Sequence, residues 1–400
     1  MNTISPTVAS TKHGIILILA AIMPVMAVIS LVPVLPMLLE EFKHISGYEV
    51  LVPIAMTIPA LCVAVFSPIA GSLSDKFGRK SLLIFALLIY SAVGVLPYFL
   101  ESLSHIIVSR IFLGITEAVI MTIATALIAD YFIGKERQKW ISIQIASVSL
   151  SAIFLIALGG MLGEVLGSRG PFVLYLLALP VALLVALNLF EPKVRANEDK
   201  QLTGFPVKKV LPLLFITLFV GIIFYSMIVK LGEVLSISQA VTPAIIGGIG
   251  ALANIGVALG AFCYGKIKHI SGPLLLCVGF GLSAFGYFAT AVSSSIVISS
   301  IAIFIGCLGF GSLLPTTLTW VLKLLPENVR GKGTGMWTGM FFLGQFTAPI
   351  VVTLLQKTLD SLSAVLVLIA ICCAIASLVA ALKSKGARDL KCDDTNKAPV

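Results

Sequence analysis

Two ionisable residues, Arg110 and Glu117, lie inside a strongly apolar stretch of the sequence that runs from Leu103 to Ala129. An apolar stretch of about 20 residues is long enough to cross the hydrocarbon of a bilayer as a helix. Charge at that depth is costly, so an ionisable side chain there is a candidate functional residue by default. Because the two residues are nearly two helical turns apart, both fall on one face of the predicted helix, separated by about 10 Å.

Of these two candidates, Glu117 has the more specific predicted role. A lone carboxyl in a medium of low dielectric constant resists ionisation, so it can take up and release a proton near neutral pH. The same group could instead neutralise a cationic ligand, or stay protonated and bond to a hydroxyl, with Thr116, Thr122 and Ser149 as the nearby choices. Arg110 could be a static tie between helices. The residues alone leave these possibilities open.

The composition places most of the chain in a membrane. Of its residues, 58% are hydrophobic and 11% are charged, and the mean hydropathy is +1.10, which is typical of a chain largely dissolved in lipid. We therefore predict an all-α membrane protein with twelve transmembrane helices. They are expected near residues 14–38, 50–70, 81–100, 103–129, 140–162, 171–190, 210–229, 242–264, 273–291, 294–322, 334–355 and 363–382.

The distribution of the basic residues predicts the orientation. On this topology only Lys43, Arg169, Lys230 and Lys357 fall on outer segments, whereas every other Lys or Arg except Arg110 falls on an inner one. Such an asymmetry is the positive-inside pattern of a multi-pass protein, and it predicts that both termini are cytoplasmic. The net charge of +9 leaves no separate basic stripe for nucleic acid, so no nucleic-acid partner is expected.

The chain is predicted to consist of two related halves. A cytoplasmic N-terminus (1–13) precedes a six-helix bundle (14–190), a cytoplasmic linker (191–209), a second six-helix bundle (210–382) and a polar cytoplasmic tail (383–400) that is expected to be disordered. An internal repeat supports this division, because Gly71 and Gly78 recur 194 residues later as Gly265 and Gly272.

The connection between predicted helices 2 and 3 carries the most specific motif, Gly71-Ser-Leu-Ser-Asp75-Lys-Phe-Gly78-Arg79-Lys80. We expect a short charged turn in which the two glycines permit unusual dihedrals and close approach of backbones. The stretch resembles the G-x-L-(A/S)-D-R/K-x-G-R-K/R signature of the major facilitator superfamily. In the same way, Arg110-Ile-Phe-Leu-Gly114 resembles the arginine motif R-x-x-x-G of helix 4 in that family.

The resemblance covers about residues 14–382 and implies the major facilitator fold, with a substrate site between two bundles and alternating access. In that family the arginine matched by Arg110 is associated with proton coupling and can bond to carbonyls of helix 1. The resemblance further implies that Asp75 packs against the start of helix 11, where Gly331, Gly333 and Gly335 allow close approach. It also implies an inner gate in which Arg79 pairs with Asp130, formed by Gly71, Asp75, Gly78, Arg79, Asp130 and Arg137.

Within the family the sequence looks most like the proton-linked drug-efflux branch, which implies export of a small amphiphilic compound, cationic or neutral. Helix 5 departs from that branch, because Leu155-Ile-Ala-Leu-Gly159-Gly160 keeps the glycine pair of G-P-x-x-G-G but not its glycine–proline. The departure favours a proton symporter that takes up a small organic solute. Export of a siderophore-like metabolite fits the same general pattern, and a non-transporting membrane receptor is a rival from a different class of protein. Ser168-Arg-Gly-Pro-Phe172 resembles the G-W-R-x-x-F that opens helix 6 in many such proteins.

Six further polar or aromatic residues are candidates for lining a substrate cavity: Gln144, Tyr225, Lys230, Asn254, Trp337 and Gln345. Lys230, near the outer end of helix 7, could instead snorkel to the membrane surface. No phosphate-binding loop, nucleophile motif or metal spacing is present, and the seven cysteines form no recognisable pattern. We therefore expect a monomeric, non-enzymatic carrier of the bacterial cytoplasmic membrane, without a metal or another cofactor and energised by a proton gradient. Its expected partners are a small-molecule substrate, protons and the lipid bilayer.

Overall fold

The structure, a computed structural model, describes residues 10–192, 206–236, 241–267, 271–325 and 330–395. Within these residues, twelve helical segments are long and apolar enough to cross a membrane, which confirms the predicted number. Spans 1 to 6 are Thr11–Glu41, Tyr48–Phe77, Arg79–Tyr98, Leu103–Tyr131, Gly134–Leu166 and Gly170–Asn188. Spans 7 to 12 are Val207–Val229, Pro243–Ile267, Gly272–Val292, Ile296–Lys323, Arg330–Leu359 and Leu362–Thr395.

The chain divides into two compact units, Met1–Lys200 and Gln201–Val400, which we call the N-terminal and C-terminal units. The division falls inside the predicted linker, 191–209, but residues 193–205 lie outside the described residues, so the linker stays a prediction. Span 12 continues as a helix to Thr395, beyond its predicted end at residue 382, and the cytoplasmic tail stays a prediction. The Lys, Ala, Arg and Leu residues of this extension favour a helix, whereas its three Asp and Gly386 do not.

Span 1 is irregular, as its prolines predict. Short 3-10 turns at Met23–Val25 and Val32–Val34 interrupt the α-helix, and Pro24 and Pro33 lie in these turns. Proline has no backbone N–H to donate and cannot continue the α-helical hydrogen-bond pattern. The span is nevertheless well buried in its unit, where side chains of neighbouring helices bond to its backbone carbonyls.

The connection between spans 2 and 3 differs from the prediction. The helix of span 2 continues past Ala70 to Phe77, and Gly78 alone separates it from span 3. Gly78 has φ +85°, which glycine adopts without strain. Gly71 is therefore helical rather than part of a turn, and a Cβ added there would meet only Thr122 Cγ2, at 3.8 Å. Hydropathy marks where the apolar part of a helix ends. The helix of span 2 continues beyond that point through polar residues to Phe77.

Candidate functional site

Arg110, on span 4, is enclosed by aromatic side chains of span 6. It is 1% exposed, and its Cζ lies 4.6 Å from the ring centroid of Phe172 and 4.9 Å from that of Tyr175. Its Nη1 donates a hydrogen bond of 2.8 Å to Tyr175 Oη. Among the described residues its Nη2 is buried without a hydrogen-bond partner. The ring faces attract the guanidinium through their quadrupoles, but they leave one donor group unfilled.

Two tyrosine hydroxyls link this cluster to the irregular backbone of span 1. Tyr175 donates to the carbonyl oxygen of Met26 at 3.4 Å, and Tyr90 of span 3 donates to that of Met23 at 2.5 Å. The expectation that Arg110 bonds to carbonyls of helix 1 is thus corrected, since within the described residues Tyr175 makes that contact in its place. The physical reason is that the guanidinium of Arg110 lies against the rings of span 6. The hydroxyl of Tyr175, and not the guanidinium, therefore reaches the carbonyl oxygen of Met26.

The start of span 6 is held in place by a polar clamp. Arg169, just before the span, pairs with Glu41 at the end of span 1, with Nη2 at 2.6 Å and Nε at 3.1 Å from Oε1. Ser168 Oγ donates to the other carboxylate oxygen at 2.7 Å, and Arg169 Nη1 also donates to the carbonyl of Leu100. The first eight residues of span 6 form a 3-10 helix, Gly170–Leu177, that carries both rings around Arg110. The clamp therefore fixes the segment on which the aromatic cage is built.

Glu117 lies nearly two turns further along span 4 and is 3% exposed. In the described part of the chain its Oε1 is buried without a hydrogen-bond partner. Two of the hydroxyls considered as partners bond elsewhere: Thr116 donates to the carbonyl of Leu113 at 2.7 Å, and Ser149 to that of Ile145 at 3.0 Å. Glu117 interacts electrostatically with Arg110 without a hydrogen bond between them. The carboxyl of Glu117 is therefore shielded from solvent and close to a buried cation, and one of its acceptor oxygens has no partner among the described residues.

The opposite end of the N-terminal unit, which we call the Asp130 end, carries the predicted ion pair. Arg79, the first residue of span 3, bonds to Asp130 near the end of span 4, and its Nη1 also lies 3.3 Å from the carbonyl oxygen of Ala126. Glu191 follows span 6 and accepts the backbone N–H groups of Arg79 at 2.5 Å and Lys80 at 2.9 Å. A carboxylate at a helix N-terminus complements the partial positive charge there.

Glu191 was missed in the sequence, although an acid immediately after an apolar span is a signal for this role. The aromatic cage was also missed, because Phe172 was noted only for its motif and because tyrosines such as Tyr90 and Tyr175 are common in apolar helices.

Arg137 does not join the pair of Arg79 and Asp130, since its Nε donates to the carbonyl of Phe132 at 2.9 Å. The side chain of Asp75 and residues 326–329 lie outside what the structure describes, so the predicted contact of Asp75 with helix 11 stays a prediction.

Three of the six further candidates are engaged within their own unit. Gln144 is 7% exposed and its Nε2 donates to Thr125 Oγ1 at 3.0 Å, which ties span 5 to span 4. Asn254 Nδ2 donates to the carbonyl of Gly250 in its own helix at 2.9 Å. Lys230 does not snorkel: it is 3% exposed and pairs with Glu233 at 2.7 Å. Glu233 compensates the charge of Lys230 inside the protein, so the side chain has no need to reach the membrane surface.

The remaining three candidates, Tyr225, Trp337 and Gln345, lie at an aromatic cluster of the C-terminal unit. Phe341 is its centre, with ring centroids 5.5 Å from Tyr225 and 5.9 Å from Trp337. Trp337 also donates its Nε1–H to Thr317 Oγ1 at 3.0 Å. Trp337, Phe341 and Gln345 follow at intervals of four residues and so share one face of span 11. Within the described residues Gln345 Oε1 is buried without a partner.

The helices and the buried charges define a multi-pass membrane protein, and comparison with known proteins identifies its family. Residues 17–349 match the family model described as Major Facilitator Superfamily. The chain therefore belongs to the Major Facilitator Superfamily, whose members are transporters and not enzymes.

The curated relatives include resistance proteins of bacteria. Multidrug resistance protein 1 of Bacillus subtilis (strain 168) is 28% identical over 340 residues, which are 80% of this chain and 83% of that protein. Tetracycline resistance protein, class H, of Pasteurella multocida is 30% identical over 179 residues, which are 45% of this chain and 44% of that protein. The resemblance to the drug-efflux branch noted in the sequence is thus confirmed.

Among solved structures, a bacterial homologue of the human lysosomal transporter Spinster, in an inward-facing and occupied conformation, is similar with a TM-score of 0.76. The match covers 94% of this chain and 99% of that chain at 16% sequence identity. At that identity the likeness shows the fold alone, and it confirms the predicted major facilitator fold.

Proposed function

We propose that this transporter is a proton-driven exporter of small amphiphilic compounds, cationic or neutral, and that it works by alternating access. The observation that carries the proposal is Glu117, a carboxyl 3% exposed whose Oε1 has no partner among the described residues, close to the buried Arg110. Dry carboxyls of this kind are the groups that relay protons in membrane carriers. The names of the relatives, multidrug resistance and tetracycline resistance, support the direction of transport.

The proposed coupling needs no cofactor, because the proton gradient supplies the energy. A cation bound at Glu117 and a proton at the same carboxyl exclude each other, and such competition couples the two fluxes in opposite directions. We further infer that the protein acts as a monomer in the bacterial inner membrane with both termini in the cytoplasm. Arg79 and Asp130, with Asp75 as the third member, would close the cytoplasmic side in one of the two conformations.

The test is transport into inside-out vesicles that contain the protein, with an imposed pH gradient and a panel of cationic, neutral and anionic compounds. Accumulation of a cationic or neutral amphiphile inside the vesicles, abolished when the gradient is collapsed, is the expected result. Gradient-independent accumulation would exclude proton coupling. Vesicles without the protein serve as the control for passive partitioning of lipophilic compounds.

A proton-coupled uptake symporter is the second candidate, and the sequence of span 5 favours it. The span keeps Gly159 and Gly160 but lacks the glycine–proline that exporters of the antiport type commonly carry. The same vesicles separate the two cases. A symporter would move its solute out of inside-out vesicles together with protons, whereas an exporter accumulates its substrate in them against the proton flux. Export of a siderophore-like metabolite is covered by including metal-chelating compounds in the panel.

A further inference from the structure

A small cavity lies in the N-terminal unit beside Arg110. Its lining includes Leu31 of span 1, Ala55 and Met56 of span 2, Ile106 and Arg110 of span 4, and Phe172 of span 6. Every side chain around it is apolar except that of Arg110. A cavity of this size holds about one or two molecules the size of water, so it excludes drug-sized solutes and lipid chains.

Arg110 lines this cavity, and the protein satisfies its buried positive charge only in part. Its Nη1 bonds to Tyr175 and its π-contacts are with Phe172 and Tyr175. Within the described residues its Nη2 is buried without a partner. A guanidinium cannot lose its proton in a protein, and a buried donor without an acceptor carries a penalty of about 1–3 kcal/mol, more for a charged group. Within the described residues the site therefore lacks an acceptor for Nη2 and a counter-charge that bonds to it directly.

Glu117 does not supply the missing acceptor. It interacts electrostatically with Arg110, but no hydrogen bond joins the two side chains. Among the described residues, groups that interact electrostatically with Glu117 include Cys62 of span 2, Tyr90 of span 3, Arg110 of span 4 and Tyr175 of span 6. Arg110 is the only cation among them. When Glu117 is neutral, the guanidinium has no counter-charge in this cluster.

We propose that the cavity beside Arg110 binds one small monovalent anion, with chloride as the physiological ligand. A water molecule in the cavity would offer Nη2 an acceptor, but it would leave the buried charge uncompensated. A chloride ion does both, and it is small enough for a cavity of one or two water-sized molecules. Larger anions such as sulfate and gluconate do not fit, and the apolar lining offers no second cation that would favour a dianion.

The anion site does not rest on the proposed export function, although it shares Arg110 with it. Its chemistry predicts that Glu117 and the anion act against each other, since both are counter-charges for one guanidinium. Removing the charge of Glu117 should therefore tighten chloride binding, and filling the cavity should abolish it. If Arg110 had only a structural role, neither change would be expected to affect chloride binding.

The experiment is equilibrium binding of radiolabelled chloride to the purified full-length protein in nanodiscs of phosphatidylcholine, where no anionic lipid competes. Saturable binding of one chloride per protein is expected, displaced by bromide and nitrate but not by gluconate or sulfate. Arg110→Gln should weaken binding at least tenfold. Ala55→Leu fills the cavity and leaves the guanidinium in place, and it should weaken binding by a similar factor. Gly248→Ala lies in span 8, where an added Cβ meets open space, and as the control it should bind like the parent.

Glu117→Gln should bind chloride several-fold more tightly than the parent. If Arg110→Gln does not fold, Ala55→Leu decides, with its unfolding midpoint in gluconate as the check that the fold is intact. The proposal is overturned if the parent shows no saturable chloride binding, or if Ala55→Leu binds as the parent does. Because binding is measured without a gradient or a substrate, failure of the export proposal leaves this result unaffected, and the reverse also holds.

Discussion

Glu117 and Arg110 are held on one helix at a spacing where each only partly stabilises the charge of its neighbour. Two unit charges about 10 Å apart at an effective dielectric constant of about 20 attract each other by roughly 1–2 kcal/mol. The penalty for burying each ion is several kcal/mol. The carboxylate form of Glu117 is therefore marginal, and a proton or a ligand cation can tip the balance. This is the physical requirement for a group that responds to a gradient.

Glu117→Gln should mimic the protonated carboxyl permanently. We expect exchange of a neutral substrate across the membrane to persist, while uphill accumulation driven by a pH gradient stops, because no group is left to take up and release the coupling proton. Both are measured in the same vesicles, with labelled substrate on one side or on both. Glu136→Gln, at an exposed acid paired with Lys139, is the control and should transport like the parent. Parental accumulation by Glu117→Gln would mean that this residue is structural.

Tyr175 should matter to transport through its hydroxyl alone. Tyr175→Phe keeps the ring under Arg110 but removes the hydrogen bond to Nη1, and bonds to charged groups contribute about 1.5–3 kcal/mol. We expect a lower rate of gradient-driven transport and a shifted pH profile. Tyr287→Phe removes a comparable bond in the C-terminal unit, from Tyr287 Oη to the carbonyl oxygen of Ile223, and is the matched control, expected to lower thermal stability only. Equal pH profiles for both variants would contradict a role of Tyr175 in positioning Arg110.

At the scale of the helices, span 5 packs closely on span 1 at Gly159. A Cβ added at Gly159 would collide with the backbone of Ser30, in the irregular part of span 1. Small residues at such crossings let helix backbones approach each other in a membrane. Gly159, one of the glycine pair that span 5 shares with exporters, thus has a packing reason that does not depend on the missing proline.

Gly159→Ala should therefore displace span 5 from span 1. Overpacking of a buried contact typically costs about 1–3 kcal/mol, and here the colliding atoms belong to the backbone, which cannot rotate away. We expect a lower unfolding midpoint and slower transport. Gly248→Ala, in span 8, meets open space and should leave the midpoint unchanged or raise it slightly, since alanine favours helix. A midpoint for Gly159→Ala equal to that of Gly248→Ala would exclude the proposed contact.

The helices show which parts of the molecule a sequence reveals. Hydropathy located all twelve spans, because apolar length is set by the bilayer. It misplaced Gly71, since a helix can continue into water through polar residues that end the apolar stretch. Arg110 and Glu117 were found because charge in a span is rare. The partners of Arg110 were not found from the sequence. Phe172 and Tyr175 contact Arg110 through tertiary packing and a 3-10 helix, which no local sequence pattern predicts.

In the whole molecule, the two units share a construction but differ in charge. Tyr287 of span 9 donates to the carbonyl of Ile223 in span 7, as Tyr90 of span 3 donates to that of Met23 in span 1. The buried pair of span 4 has no counterpart, since the corresponding positions of span 10 are near Ala302 and Gly309. The C-terminal unit instead carries the aromatic cluster around Phe341. Proton coupling, under the proposed function, therefore belongs to the N-terminal unit.

The charge of the substrate follows from this asymmetry and gives the last prediction. A lipophilic cation competes with a proton for Glu117, so its affinity should fall as the pH drops from about 8 to about 5, by at most about tenfold per pH unit for one proton. A lipophilic anion should behave in the opposite way, because protonation of Glu117 leaves the positive charge of Arg110 uncompensated. Tetraphenylphosphonium and tetraphenylborate, which match in size and shape, are suitable probes for binding to the purified protein.

Glu117→Gln is the control for both probes, since it removes the titrating group. Cation binding should then be weak at every pH, and anion binding should be strong at every pH. The proposal of cation export predicts that the parent binds the phosphonium more tightly near pH 8 than near pH 5. If phosphonium affinity instead strengthened on acidification, and Glu117→Gln held it high, the carboxylate would be hindering the binding of the cation rather than attracting it, and an uptake symporter would explain the site better.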